Sequence, residues 1–390
     1  MNKPKVLFPS VEAGLGHIMP MNAIADEFEK LYGDKVDVVR TRFFADGTDK
    51  ALHSFEKTMT DQVRTYSLNV AYGFFATFSM NFWGPRLDSV AVMRFMNPAS
   101  YKAAMQRMSE LAPDLVVSTH WATNYYAMHL KPVRPLTAMY CPDVRINPLF
   151  QYPCDLCMGA MEAGVAVARR RHPLRFNENN LKCVDFPIRG SAFDVPEDKR
   201  ENRRFWGFDE NKFTVVLAEG GYGIGKMEAI CNELLTRDLP ITLVPVCGKN
   251  EELFERFKTI KTGGHTDFRP QGLLGEEIFR LWGAADVALG KTGASAAAEP
   301  CFFGLPMIIT HYATNIEKFI GEYYINTVGN AIKIFDPVAA ADKVEEFYRN
   351  PELMQPYIAA AKAVRNRYGA RKACEEIYKL LLTRFPEIDG

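Results

Sequence analysis

Short apolar runs alternate with stretches of helical periodicity along nearly the whole chain. The run KVLFPS is followed by Ile18, Met21, Ile24, Phe28 and Leu31, whose spacing predicts a helix from about His17 to Tyr32. KVDVVRTRFF, PDLVVSTH, PLTAMYC, LCMGAM and KCVDFPI follow, each mostly apolar, as strands buried on both faces should be. A second series begins at FTVVLAEGG and continues with PITLVPVCG, DVALGKTG, PMIITHY and AIKIF, again separated by helical patterns. Such alternation predicts an α/β protein with parallel sheets covered by helices on both faces. The rhythm breaks once, between Arg189 and Lys212, where a charged stretch of poor periodicity reads as linker plus a helix. We therefore expect two doubly wound, Rossmann-like domains, 1–190 and 211–390, joined by a linker over 191–210 and facing each other across a cleft. The last helix could pack back on the first domain. In such sheets ligands bind at the carboxyl ends of strands, so chemistry is sought in the loops that follow them.

Length and composition agree with this and exclude several classes. A chain of 390 residues exceeds what one core usually sustains. Lys plus Arg equals Asp plus Glu, 47 each, which gives no support for a nucleic-acid partner. The N-terminus does not read as a signal peptide, and no stretch reaches the ~18 apolar residues of a membrane span. A cytoplasmic protein is expected, with peripheral attachment to a membrane surface left open. The eight cysteines read as reduced thiols. Cys141, Cys154, Cys157 and Cys183 include a CxxC, but their outer spacings match no common metal pattern, and core thiols are the expected reading.

Three loops carry candidate chemistry. The first, SVEAGLGHIMP, turns on Gly14 and Gly16 and opens a helix at His17. A helix start suits an anion or a developing alkoxide. His17 is equally a general base or a capping or core histidine. The loop is neither a dinucleotide fingerprint, since position 19 is Met, nor a P-loop. The second, LAEGGYGIGKME, places Gly220, Gly221, Gly223 and Gly225 between a strand and a helix, a backbone nest for phosphate or a plain turn. Glu219 and Lys226 add charge without evident aim. The third, GKTGASAAAEPCFFGLPMIIT, runs from a strand into a small-residue helix start, with Glu299 about two turns on at ~1.5 Å rise per residue. A carboxylate there could accept from the two hydroxyls of a ribose, or simply face solvent. Pro300 argues that this helix is short or bent.

Together these segments resemble the inverting GT-B glycosyltransferases of family 28, in the monogalactosyldiacylglycerol synthase branch, with the peptidoglycan lipid-linked GlcNAc transferase as a more distant likeness. GLGH resembles the family's N-terminal Gly-rich turn, APDLVVSTHWA its Pro-Asp-strand-Ser-Thr-His segment, and PDVRINPLF its Thr-Asp-x-x-x-His-x-x-Trp segment. VDFPIRGSAF is similar to the strand that enters the linker. LAEGGYGIG resembles the donor loop, and GKTGASAAAEPCFFGLPMIIT the Lys-Ala-Gly…Glu-Ala…Gly-Leu-Pro donor motif. The departures are a GLGH with fewer glycines, Asn147 and Phe150 where His and Trp are expected, and Pro300 after Glu299.

The resemblance implies a GT-B fold and a UDP-sugar donor held mostly by the C-terminal domain. Gly220, Gly221 and Gly223 would lie at the diphosphate. Gly272, Leu273 and Leu274 would flank the uracil, and Thr292, Gly293, Ala294 and Ser295 would cradle phosphate oxygens. Glu299 would hold the ribose, and Asn315 and Glu317 would meet the sugar. His17 would face the acceptor hydroxyl as base, with His120 and Asp143 as alternatives on the same domain. No Asp-x-Asp metal motif is evident, so helix start and nest would serve the departing diphosphate in a single, metal-independent displacement, with no cofactor.

The acceptor implied is a diacylglycerol-like lipid. A soluble small-molecule acceptor, a non-catalytic nucleotide-sugar- or lipid-binding relative, and a dinucleotide oxidoreductase are the competing readings. Phe74, Phe75, Phe78, Met80, Phe82, Trp83, Met93, Phe95 and Met96 would meet lipid or form core. Arg169, Arg170, Arg171 and Arg175 would meet an anionic membrane surface or stay solvated.

Overall fold

The computed structural model describes residues 3–12, 15–69, 71, 94, 97–221, 223 and 225–389. The chain divides into two units, Met1–Gly190 with Asn366–Gly390, and Ser191–Arg365.

In the first unit β1 (Lys5–Ser10), α1 (Leu15–Tyr32), β2 (Asp37–Arg42), α2 (Lys50–Leu68), α3 (Pro98–Leu111), β3 (Leu115–Ser118), α4 (Trp121–His129), β4 (Leu136–Cys141), β5 (Leu156–Gly159), α5 (Glu162–Arg171) and β6 (Leu181–Cys183) follow one another. The strands form one parallel sheet in the order β2-β1-β3-β4-β5-β6. Alternate residues leave the sheet on opposite faces, and each set meets helices. Val6, Phe8, Leu115 and Val117 pack with Met21, Ile24 and Phe28 of α1. Leu7 and Val116 pack with Phe43, Phe44, Met108, Tyr125 and Tyr126.

The second unit holds α6 (Lys199–Phe205), β7 (Phe213–Ala218), α7 (Met227–Arg237), β8 (Ile241–Val246), α8 (Glu251–Lys258), β9 (Asp267–Phe268), α9 (Glu277–Ala284), β10 (Val287–Gly290), α10 (Ala294–Phe302), β11 (Met307–Ile309), α11 (Asn315–Tyr323), β12 (Ala331–Lys333), α12 (Pro337–Arg349) and α13 (Gln355–Ala363). Its parallel sheet has the order β12-β11-β10-β7-β8-β9. The segment expected as a linker is built into this unit. Asp286 accepts from Lys199 Nζ at 2.9 Å, Arg203 Nη2 at 2.5 Å and the Thr214 amide at 2.8 Å, which ties α6 to the amino ends of β7 and β10.

The last helix, α14 (Arg371–Leu382), belongs to the first unit. Ala373, Cys374, Ile377 and Leu381 join the core beneath α1, and Tyr378 stacks on Tyr32 with ring centroids 4.0 Å apart. Among the described residues no helix is long and apolar enough to cross a membrane.

Candidate functional site

Each sheet has one switch point, where the strand order reverses and the following loops splay apart to leave a crevice. In the first unit it lies between β1 and β3, in the second between β7 and β10. Loops expected to carry chemistry flank both points.

Beyond β1, α1 begins at Leu15 and presents His17 in its first turn. Beyond β3, His120 caps α4. The two rings meet edge to face with centroids 5.2 Å apart. His17 Nδ1 lies 2.8 Å from the Thr119 carbonyl, and the Thr119 hydroxyl donates to the His17 carbonyl at 2.8 Å. A carbonyl only accepts, so Nδ1 carries the proton and Nε2 the lone pair. Burial pushes the imidazole below its ordinary pKa, against the Thr119 carbonyl, which favours the protonated ring. A neutral ring with a free Nε2 lone pair is what a general base requires.

His120 has the opposite tautomer. Its Nδ1 accepts from the Ala122 amide at 3.3 Å, so its proton sits on Nε2. Burial, then the neighbouring His17, hold its pKa well below the ordinary value. This geometry makes His120 a helix cap that presents a donor at Nε2.

Asp143 follows β4 on the same edge of the sheet. Burial pushes its carboxyl up to about 6, against the hydrogen bond that Asn147 Nδ2 donates to Oδ2 at 2.6 Å. Asn147 Oδ1 in turn accepts from the Leu149 and Phe150 amides, at 3.1 and 3.4 Å, and so fixes the turn that carries Phe150. Phe150 stacks on His17, centroids 6.0 Å apart and planes 13° from parallel. The two departures from the family pattern are thus one device, linking Asp143 to the His17 ring. A Cβ at Gly16 would meet nothing within 4 Å among the described residues. Gly14 lies outside them, as do Phe74, Phe75, Phe78, Met80, Phe82, Trp83, Met93, Phe95 and Met96.

The basic run lies elsewhere. α5 returns antiparallel between β5 and β6, so its last turn ends at the amino edge of the sheet, opposite His17. Arg169 donates to the Leu181 carbonyl at 3.1 Å and Arg175 to that of Gln151. The cysteines are free thiols, with Cys141 and Cys157 fully buried. Burial, and for Cys141 the nearby Asp143, push that thiol's pKa well up. Among the described residues no group of three or more His, Cys, Asp or Glu side chains converges as metal ligands would.

In the second unit the Gly-rich loop depends on Glu219, which is fully buried. Its Oε1 accepts from the Lys226 amide at 3.0 Å and the Thr310 hydroxyl at 2.9 Å, and its Oε2 from the Met227 amide at 2.9 Å. His311 Nδ1 stands 3.6 Å from Oε1. Burial works to raise this carboxyl, but His311, Lys226 and Thr310 outweigh it and hold the pKa below its ordinary value. Glu219 therefore caps α7 and joins the loop after β7 to the loop after β11. Gly225 is required by it, since a Cβ there would lie 2.0 Å from Oε2. Gly220 and Gly223 adopt φ of +75° and +56°, which side chains rarely reach.

Across the switch point α10 starts at Ala294 after Gly293, with no side-chain cap on its first turn, and Ser295 Oγ is buried without a hydrogen-bond partner. Orphaned donors at a helix start are the provision an anion needs. Thr292 Oγ1 donates instead to the Glu317 carbonyl at 2.6 Å. Glu299 stands half-buried about one and a half turns into α10, a helix of nine residues that holds Pro300. Leu273 is exposed and Leu274 half-buried, on a loop that the bridge between Val246 and Gln271 sets at the carboxyl end of β8. Asn315 opens α11 under a Thr314 cap.

Glu317 is engaged within the loops after β10 and β11. Its Oε1 pairs with Lys291 Nζ at 3.0 Å and its Oε2 accepts from the Ala313 amide at 2.7 Å. Sequence reasoning passes over Lys291, although it directly follows β10 within the donor motif. Its stem lies against the Gly220 backbone, where a Cβ would come 2.7 Å from Lys291 Cε.

No protein-family model matches the chain. Monogalactosyldiacylglycerol synthase 1 of Arabidopsis thaliana is 24% identical over 326 residues, which are 80% of this chain and 59% of that protein, so the chain matches less than two thirds of its plant relative. The processive diacylglycerol beta-glucosyltransferase of Bacillus pumilus is 23% identical over 75% of this chain and 83% of its own length. Among solved structures, MurG of Acinetobacter baumannii superposes with a TM-score of 0.55 at 11% identity, covering 96% of this chain and 99% of its own. UDP-GlcNAc 2-epimerase of Neisseria meningitidis, bound to UDP-GlcNAc, gives 0.58 at 13%, covering 98% and 100%. The chain has the two-domain α/β architecture of the GT-B glycosyltransferases, and it is a sequence relative of the monogalactosyldiacylglycerol synthases and of a diacylglycerol glucosyltransferase, the branch that its motifs resemble.

Proposed function

We propose that this chain is an inverting glycosyltransferase that moves a hexose from a UDP-sugar to the hydroxyl of a diacylglycerol-like lipid at a membrane surface. The observation that carries the acceptor is what the named relatives share: one is a galactolipid synthase and the other a glucosyltransferase, yet both names specify diacylglycerol. A structure of the same fold is bound to UDP-GlcNAc, which supports a uridine-diphosphate donor.

On this reading unit 1 receives the acceptor and unit 2 the donor. His17 Nε2 takes the acceptor's proton as the oxygen attacks the anomeric carbon, and Thr119 holds the ring in the tautomer that leaves Nε2 free. Phe150 and the Asn147-capped turn keep the ring in place. Asp143 acts through that turn. His120 offers a donor beside the base. In unit 2 the loop around Gly220, Gly221 and Gly223 and the start of α10 at Thr292, Gly293, Ala294 and Ser295 take the diphosphate. Backbone at Leu273 and Leu274 meets the base, Glu299 the ribose and Asn315 the sugar. Glu317 positions this site from behind.

The test is product analysis. The chain is incubated with UDP-galactose or UDP-glucose and diacylglycerol vesicles, and the extracted lipid is read by mass spectrometry. A lipid heavier by one hexose is the expected result. Unchanged lipid with both donors, under conditions where the donors bind, would refute the lipid acceptor.

A further inference from the structure

His17 stands in a turn that its own helix holds incompletely. It lies in the first turn of α1, and Pro20 has no N–H to give the Gly16 carbonyl, so one intrahelical bond is missing there. The place of that turn is set in part from outside. Thr119 supplies one tie, from its hydroxyl to the His17 carbonyl at 2.8 Å. A second tie holds the chain just ahead of the turn. Glu12, two residues beyond β1, has both its backbone groups held by α2. Its amide donates to Glu56 Oε1 at 3.3 Å, and its carbonyl accepts from Thr60 Oγ1 at 2.7 Å. Glu56 and Thr60 are four residues apart and share one face of the helix. Leu52 and Phe55 bury α2 in the core that also takes Val11 and Phe44, with the Phe44 and Phe55 rings 5.3 Å apart. Thr60 differs from Thr58 and Thr65 of the same helix, whose hydroxyls donate one turn back, to the Ser54 and Asp61 carbonyls at 2.9 and 2.8 Å. Thr60 reaches off the helix instead.

We propose that Thr60 and Glu56 are positioning residues for the transfer: by fixing both backbone groups of Glu12, they set where the loop after β1 delivers His17 to the acceptor hydroxyl. The inference rests on the reading of His17 as the base. Both side chains act through His17 and not on the substrate. A base must stand about 2.6–3.2 Å from the oxygen whose proton it takes. A turn displaced by about 1 Å is enough to cost about 10²-fold in rate. The Gly-rich loop and the start of α10 belong to the other unit, so nucleotide binding should not follow the change.

The experiment measures hexose transfer from UDP-galactose or UDP-glucose to diacylglycerol vesicles by the full-length chain, with folding of each variant checked by circular dichroism. Thr60→Val keeps the side chain's shape and loses the donor, and Glu56→Met loses the acceptor. Each should lower kcat about 10- to 100-fold and leave the KM for the UDP-sugar within about twofold. Thr60→Ser and Glu56→Gln keep the donor and the acceptor and should restore most of the rate. In the His17→Ala background Thr60→Val should change the residual rate by less than about twofold, because residues that act as a unit are not additive. Full additivity in that background would overturn the assignment. So would a Thr60→Val variant that unfolds more easily yet turns over at the wild-type rate, which is what a plain brace predicts. A wild type without transfer, or His17→Ala at full rate, would sink the base assignment itself and this inference with it.

Discussion

Glu219→Ala should be the most damaging single change in the second unit outside its apolar core. The carboxylate is fully buried and accepts from two backbone amides and one hydroxyl, all between 2.9 and 3.0 Å. Hydrogen bonds to a charged acceptor contribute about 1.5–3 kcal/mol each, and removing the acceptor strands its buried donors. A water entering the vacated space returns part of that loss. The expected cost is therefore about 3–5 kcal/mol, less than the sum of three separate bonds. The pH dependence has a definite sign. A carboxyl whose folded pKa is depressed contributes stability above its unfolded value, near ~4.3, and loses it as pH falls through the folded pKa. Wild type and variant should differ most near neutrality and converge in acid. Urea unfolding, followed through Trp206 and Trp282 of this unit, gives the magnitude. Hydrogen exchange at the Lys226 and Met227 amides shows whether the α7 cap is what fails. A loss under about 1 kcal/mol at pH 7 with unchanged protection of those amides would refute the role given to Glu219.

Gly225→Ala forces a Cβ to 2.0 Å from the same carboxylate and should cost at least about 2 kcal/mol; in the Glu219→Ala background it should cost much less, and additive losses in a double-mutant cycle would contradict the contact. Asp143→Asn should raise stability above pH 6 by up to about 2 kcal/mol, because a carboxyl held at about 6 binds its proton more tightly in the folded state and stability falls as pH rises from ~4 to that value; a stability–pH curve unchanged by the substitution would contradict the burial of Asp143. His17→Ala should lower kcat about 10²–10⁴-fold with little change in UDP affinity, and the acid limb of the wild-type rate should fall below pH ~6.5, since the imidazole pKa is lowered; an acid limb above that value would contradict His17 as the base in its buried setting. Truncation after Arg365 removes the fully buried Ile377 and Leu381 of α14 and should unfold the first unit while the second keeps its transition.

The architecture was legible because parallel strands buried on both faces leave continuous apolar runs, as at Leu115–Ser118 and Phe213–Ala218. The strand at Asp267–Phe268 was not legible: two residues at a sheet edge, flanked by Thr266 and Arg269, carry no period. The pattern of 371–382 announces an amphipathic helix, yet nothing in it says which core the apolar stripe joins, and it joins the one 350 residues back. For the candidate site, glycines and helix starts gave away the loops. The aim of a charged side chain did not follow, because a carboxylate that reads a ligand and one that caps a helix look alike in a sequence. Glu219 turned inward, and Lys291 found its partner 26 residues on. Asn147 and Phe150 looked like defects in a motif until their hydrogen bonds and stacking joined them to Asp143 and His17.

Lipid glycosyl transfer is tested by release of UDP from UDP-galactose and UDP-glucose, with and without diacylglycerol vesicles, for wild type, His17→Ala and Glu299→Ala. Release should require the lipid, be nearly abolished in His17→Ala with UDP binding retained, and be weakened in Glu299→Ala through a higher KM for the donor. Release that is indifferent to lipid, or full activity in His17→Ala, would contradict lipid transfer with His17 as the base.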